Sequence, residues 1–198
     1  MIASKWWHEA AGFFGDFYAD GDRSQEGHVA AKKMSLDERT AREVDGVVRL
    51  LSLKPRQRVL DVRCGYGRHA IALASRGHRV VGVDLNERHL RMARSSAAAD
   101  GVRIEFVKND MLTLNVPQKF DACEQYHRMT NRIDGAWAIE RNGKTAEKLY
   151  SVRVYEVEEF IAMCSEAGFK SCRAYGSWEG DAYESNSSEE IIFVAKVK

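Results

Sequence analysis

The chain has 198 residues, 44% of them hydrophobic and 30% charged, and its 30 Lys and Arg nearly balance 29 Asp and Glu for a formal charge of +1. That length and apolar share suit one α/β domain with a real core, and the balanced charge lacks the strong field that draws proteins non-specifically to nucleic acid. No apolar run reaches the roughly 20 residues that cross a bilayer, and the stretch from Met1 to Asp22 lacks the n-region, h-region and cleavage pattern of a secretory signal.

Residues 1–34 begin aromatic, with Trp6, Trp7, Phe13, Phe14, Phe17 and Tyr18 crowded around Gly12 and Gly15, and turn polar afterwards. Ser35-Leu36-Asp37-Glu38 has the form of a capping box, in which the Ser and Glu side chains satisfy each other's free helix-start amides. Ala41, Val44, Val47, Val48 and Leu51 then recur at helical spacing, and Pro55 follows the end of that helix. From residue 57 strand and helix patterns alternate. Arg58–Val62 is a β-branched run, Arg68–Arg76 is helical up to Gly77, and Arg79–Asp84 is a second buried-type strand. Asn86 can cap a helix that runs to about Ala99 and stops at Asp100-Gly101. Val102–Val107 and Lys119–Cys123 supply two more strands. This order, with short loops, predicts a Rossmann-like, doubly wound, mostly parallel sheet with flanking helices.

Beyond residue 123 the texture changes. Tyr126–Ile133, Ala136–Arg141 and Lys148–Tyr155 suggest a C-terminal β-meander turning at Asp134-Gly135 and Asn142-Gly143. A helix over Val157–Ala167 ends at Gly168, Phe169–Tyr175 and Ile191–Val197 form closing, antiparallel strands, and 176–190 is a polar loop. The expected organisation is a single domain over 1–198: a helical cap (1–56), an alternating α/β core (57–123) and a C-terminal half of different texture (124–198). Cys64, Cys123, Cys164 and Cys172 show no C-x-x-C or zinc-like spacing. Scattered histidines add no ligand set, so no metal site and a reducing, cytoplasmic setting are expected.

The chemistry concentrates in Val59-Leu60-Asp61-Val62-Arg63-Cys64-Gly65-Tyr66-Gly67-Arg68-His69, where a strand carrying an acid runs through a glycine-bearing turn into a helix. Such a turn at the carboxyl end of a parallel strand opens the crevice in which these sheets bind ligands. By itself it is as consistent with a purely structural turn. Asp84 ends the next strand about 20 residues past the turn, where nucleoside-binding sheets place a carboxylate for the two ribose hydroxyls. Asn109-Asp110-Met111 follows the third strand and combines a polar acceptor with a flexible apolar contact.

With these residues in order the sequence resembles the class I, S-adenosylmethionine-dependent methyltransferase superfamily, from Val59 to about Asp121. The resemblance implies that Asp61, Gly65 and Gly67, with Arg63 and Cys64 between them, meet the amino-acid end of S-adenosylmethionine. It implies that Asp84 takes the ribose, that Leu85 packs on adenine, and that Asp110 recognises adenine beside Met111. The aromatic N-terminus, the Gly-Arg-His helix start and the endings Glu-Ala-Gly-Phe-Lys, Ala-Tyr-Gly-Ser-Trp and Ile-Ile-Phe-Val-Ala-Lys resemble a subgroup acting on small molecules. A nicotinamide fingerprint would want glycine where Ala70 stands, a substitution some dehydrogenases tolerate. Asp61 and Asp110 favour methyl transfer.

Two departures from the family pattern stand out. Arg63 fills a place usually held by a small residue or proline, where it either grips the cofactor carboxylate or strains the turn. After Phe120-Asp121-Ala122, Cys123-Glu124-Gln125 runs almost directly into Tyr126-His127-Arg128-Met129. That leaves no room for the helix and fifth strand the family places there, a unit of about 30 residues. The fourth strand would then expose its edge unless the last strand, the meander or a second copy of the chain covers it, so a homodimer is one expectation. The functional expectation is methyl transfer to a small-molecule acceptor, without membrane or nucleic-acid partners. The alternative is a cofactor-binding, weakly active module working through dimerisation or a partner.

Individual side chains carry two readings each. Phe17 and Tyr18 could cover a substrate or pack the N-terminal segment on the sheet. His69 could face the cofactor carboxylate or lie at the surface, and His127 and Tyr155 could be acceptor-side bases or strand-face packing. Trp178, Asp181 and Tyr183 fall in a polar loop of the kind that often carries specificity. Cys64 is expected to be a small buried filler, since a catalytic thiol needs an activating base.

Overall fold

The computed structural model describes residues 34–111, 113, 114, 120, 122–125, 133–141, 144–152, 155–188 and 190–197; within 122–125, 133–141 and 144–152 the backbone alone is described. These residues fall into two compact units, divided between residues 126 and 127.

The first unit opens with α1 (Leu36–Leu50), and the capping box is present: Ser35 Oγ accepts from the Glu38 amide at 3.2 Å, while Glu38 Oε2 accepts from the Ser35 amide at 2.8 Å. β1 (Arg58–Val62), α2 (Arg68–Ser75), β2 (Arg79–Asp84), α3 (Glu87–Ala99), β3 (Glu105–Lys108) and β4 (Ala122–Gln125) follow. The strands form one parallel sheet in the order β3-β2-β1-β4, so the chain crosses over to both sides of β1. β1, β2, α2 and α3 match the sequence expectations to within a residue. β3 and β4 do not. Neighbouring ladders set them: β3 begins only where Glu105 finds Val81, and β4 is shifted to pair Ala122–Gln125 with Val59–Val62.

Side chains alternate across this sheet as strand geometry requires. Leu60, Val62 and Val83 gather with Val81, Val107, Leu114 and Phe120 on one face. Asp61, Gly82 and Phe106 are in register on the other. There Phe106 and Ala93 of α3 crowd the space above Gly67, so α3 and the turn before α2 lie over that face. Val44 and Val47 of α1, Ala70 and Leu73 of α2, and Leu90, Ala93 and Ala97 of α3 are all buried. Burying one large aliphatic side chain contributes about 1.5–3 kcal/mol, so this stripe holds the three helices in place. Among the described residues, the sheet ends at β4.

In the second unit, β5 (Ile133–Arg141) and β6 (Lys144–Val152) make one long antiparallel hairpin. The expected turn at Asp134-Gly135 is thereby corrected, while the expected strand Tyr126–Ile133 lies, but for Ile133, outside the described residues. Asp134 and Gly135 form no turn but pair with Ser151 and Tyr150 inside a ladder nine pairs long, from Ile133 with Val152 to Arg141 with Lys144; the expected turn residues Asn142 and Gly143 lie outside the described residues. α4 (Val157–Glu166) precedes β7 (Ser171–Tyr175) and β8 (Ile192–Lys196), which pair antiparallel as a separate two-stranded sheet. The expected antiparallel closing strand is therefore present, paired with β7. α4 stacks Phe160 on Phe193 of β8 at a 4.2 Å centroid distance. Among the described residues, no helix is long and apolar enough to cross a membrane.

Candidate cofactor site

Three adjacent strand ends are stitched together at the carboxyl edge of the parallel sheet, and Asp84 is the common point. The Arg63 and Cys64 amides both donate to the Val83 carbonyl, at 2.7 and 3.0 Å, which turns the chain sharply as it leaves β1. The Asn109 amide donates to the Asp84 carbonyl at 3.1 Å and holds the end of β3 against that of β2. The Asp84 carboxylate spans the gap: Oδ2 accepts from the Gly65 amide at 2.9 Å and Oδ1 from the Asn86 amide at 2.8 Å. Asn86 in turn caps α3, accepting from the His89 amide at 3.1 Å.

The turn itself is left-handed at three positions, with φ of 64° at Arg63, 55° at Gly65 and 85° at Gly67. Glycine suits the last two for different reasons. A Cβ on Gly67 would come within 2.9 Å of Ala93 Cβ and 3.3 Å of the Phe106 ring, so this glycine lets α2 approach α3 and β3. A Cβ on Gly65 would meet nothing within 4 Å, so the space beside it is open. Arg63 is exposed and carries a conformation that costs a residue with a Cβ about 1–2 kcal/mol. Of the two roles considered for it, strain in the turn is the one its backbone displays.

Asp61 is buried, 4% exposed, on the sheet face that α3 and the turn cover. Cys64 is also buried, its Sγ 3.0 Å from where a Cβ on Gly82 would stand, as expected of a filler. Leu85 and Met111, beside Asp84 and Asp110, are each 41% exposed, large apolar side chains left at the surface next to two polar strand ends. Asp110 is half-buried, and its carbonyl accepts from the Thr113 amide at 3.1 Å.

His69 is not at the surface. It is 6% exposed, and its Nε2 lies 2.8 Å from Glu43 Oε2. Glu43 was not singled out in the sequence, yet it is the centre of the unit's buried charge. Its carboxylate is 1% exposed, takes Arg39 Nε at 2.9 Å on Oε1, and meets Arg68 Nη1 as well as His69 on Oε2. Burial alone would raise its pKa; the His69 hydrogen bond and the charges of Arg68, His69 and Arg39 outweigh it and bring the value down to about 2. The signal was available: Thr40, Glu43 and Val47 share a buried helix face, and an acid there requires cationic partners.

Tyr18 and His127, expected near the substrate, lie outside the described residues, as does Phe17. Tyr155 is half-buried in the second unit. Trp178 is buried at 7% exposure, which its polar loop did not suggest, while Asp181 is exposed and accepts from Ser177 Oγ at 2.7 Å. Tyr183 is half-buried. Among the described residues, no cluster of three or more His, Cys, Asp or Glu could hold a metal.

Residues 59–136 match a family model described as a methyltransferase domain. A solved S-adenosylmethionine-dependent methyltransferase from Clostridium acetobutylicum ATCC 824 superposes with a TM-score of 0.62 over 79% of this chain and 91% of that one, at 13% identity. Residues 59–136 thus carry a methyltransferase domain, and the fold is that of S-adenosylmethionine-dependent methyltransferases. It is 28% identical over 158 residues to the 27-O-demethylrifamycin SV methyltransferase of Amycolatopsis mediterranei (strain S699), covering 76% of this chain and 56% of that protein. It is 32% identical over 87 residues to the 23S rRNA (uracil(1939)-C(5))-methyltransferase of Dechloromonas aromatica (strain RCB), covering 44% and 19%. The chain spans from 19% to 56% of the length of the first curated relatives it matches. The cofactor of this methyltransferase fold is S-adenosylmethionine, and the strand ends suit it chemically. Open space adjoins a side-chain-free amide at Gly65, an acidic acceptor stands at Asp84, and two apolar side chains lie beside the strand ends.

Proposed function

We propose that this chain transfers the methyl group of S-adenosylmethionine to a small polar acceptor, at nitrogen or oxygen. The observation that carries the reading is the Asp84 carboxylate, which braces the glycine turn through Gly65 and the start of α3 through Asn86. A carboxylate has about four acceptor positions, so two remain for the ribose hydroxyls without loosening either brace. In the same reading Asp61, Gly65 and Gly67, with Arg63 and Cys64 between them, receive the amino-acid end of the cofactor. Leu85 and Met111 flank adenine, and Asp110 accepts from its amine. When bound, the cofactor supplies an electrophilic methyl. The chain's part is to hold donor and acceptor in line and, where the acceptor carries a proton, to provide a base for it. Tyr18, His127 and Tyr155 are assigned to the acceptor side, and no residue is named as the base.

The small-molecule acceptor is supported by the near-neutral charge and by the longer likeness to the rifamycin enzyme; the likeness to the ribosomal RNA enzyme covers less than half of this chain. We place the protein in the reducing cytoplasm, where Cys64, Cys164 and Cys172 stay free thiols. We also propose that a second copy pairs along the outer edge of β4; light scattering on a sizing column that shows only monomer would refute this.

Titration calorimetry with S-adenosylhomocysteine tests the cofactor site, and a radiolabelled methyl screen against metabolite pools tests transfer. No heat of binding refutes the whole reading. Binding with no labelled product in any pool, with or without added RNA, refutes the transferase and leaves a binding module.

A further inference from the structure

We propose that Glu43 is a positioning residue for the cofactor, acting on the glycine turn from a different helix. α2 begins directly after Gly67, which is left-handed and offers no side-chain cap. The first two residues of α2, Arg68 and His69, are instead both held by one oxygen of Glu43, while Arg68 Nη1 also reaches Thr40 Oγ1 at 3.0 Å. Glu43 and Thr40 belong to α1, at sequence separations of 25 to 28 from their partners. A helix start without a local cap is thus fixed in place by a buried charge cluster from another element. Its rigidity passes into the turn: the Gly67 amide donates to the Cys64 carbonyl at 2.9 Å, and the Gly67 carbonyl accepts from Ile71 in the first turn of α2 at 2.8 Å. Small displacements of groups that must meet a ligand in register are disproportionately costly.

This rests on the reading that the turn receives the amino-acid end of S-adenosylmethionine, and it makes a claim that reading does not. Loss of Glu43 should weaken ligands that have that end and spare those that lack it. The probes are S-adenosylhomocysteine and 5′-methylthioadenosine, which share the nucleoside and the thioether and differ in the amino-acid portion. Calorimetry on the full chain with Glu43→Gln should show S-adenosylhomocysteine weakened by on the order of tenfold to a hundredfold, with 5′-methylthioadenosine unchanged. His69→Gln keeps the Arg68 contact and should shift the same ratio in the same direction by less, so the idea stays testable if the first variant does not fold. Arg39→Met removes a contact within α1, to the other carboxylate oxygen, and should leave the ratio at its wild-type value while lowering the unfolding midpoint.

Equal weakening of both ligands by Glu43→Gln, or no change in either, makes Glu43 a structural residue only and overturns the proposal. So does a ratio shift with Arg39→Met as large as that with Glu43→Gln. Failure of the wild type to bind S-adenosylhomocysteine removes the cofactor reading itself, and this proposal with it.

Discussion

Gly65 and Gly67 stand two residues apart in the same turn, both left-handed, and alanine at each should produce opposite kinds of damage. At Gly67 the substitution imposes the left-handed penalty of about 1–2 kcal/mol. It also drives a methyl group to 2.9 Å from Ala93 Cβ and 3.3 Å from the Phe106 ring. Both neighbours are packed between α3 and the sheet, so relief requires a backbone shift, and overpacking of this kind costs about 1–3 kcal/mol more. Gly67→Ala should therefore lose about 2–5 kcal/mol. At Gly65 the methyl meets nothing within 4 Å, so the conformational penalty of about 1–2 kcal/mol stands alone. Affinity should rank the other way. The open space beside Gly65 is where the cofactor's amino-acid end is expected, so Gly65→Ala should weaken S-adenosylhomocysteine more than Gly67→Ala does in the folded protein. Urea unfolding followed by circular dichroism gives the first ranking and calorimetry the second. If Gly65→Ala proves the less stable of the two, or binds the ligand as tightly as wild type, the assignment of packing to one glycine and ligand approach to the other is wrong.

The Glu43 carboxylate has a folded pKa of about 2 against an ordinary 4.5. A lowered folded pKa means stability that is complete above about pH 5 and is lost as pH falls towards 2, a contribution of about 3 kcal/mol; urea midpoints across that range should fall in wild type and fall less in Glu43→Gln. Asp84→Asn keeps the shape but weakens acceptance from the Gly65 and Asn86 amides, so it should cost about 1–3 kcal/mol of stability as well as ribose affinity. Full stability in that variant would show that the braces contribute nothing. The Cys172 thiol is pushed up to about 12 by burial and by the neighbouring Cys164 thiol. Iodoacetamide at pH 8 should therefore label Cys172 far more slowly than a free thiol, read by peptide mass spectrometry, and labelling at the rate of glutathione would contradict this.

The first unit was legible because local signals and tertiary packing agree there. Ser35 and Glu38 form a capping box, Asn86 caps α3, and Arg58–Val62 and Arg79–Asp84 are strands at the expected residues. Where sequence reading failed, a non-local partner decided the outcome. Asp134-Gly135 has the composition of a turn, but the pairing of β5 with β6 runs straight through it. β4 moved along the chain to stay in step with β1. His69 could be read as a surface group because its buried partner Glu43 lies on another helix, 26 residues earlier. Asp84 was legible as an acid at a strand tip, but its bond to the Gly65 amide, 19 residues away, was not.

That last bond bears on how the site is prepared for its ligand. In the unfolded chain the Gly65 amide and the Asp84 carboxylate are separately solvated; in the folded one they meet at 2.9 Å, while the Arg63 and Cys64 amides are bound to the Val83 carbonyl. The conformational cost of ordering a left-handed turn is therefore met during folding, by contacts made within the protein, and is not charged again when a ligand arrives. The strain at Arg63 is held in the same way. Glu43 completes the arrangement from the far end of the turn, since the helix that follows Gly67 is fixed by Arg68 and His69. A site organised like this should bind with little rearrangement of β1, β2 and the turn between β1 and α2. Amide exchange over residues 59–69 should already be slow in the ligand-free protein and change modestly on adding S-adenosylhomocysteine. Rapid exchange there, becoming slow only with ligand, would place the ordering at the binding step and refute this account of a prepared turn.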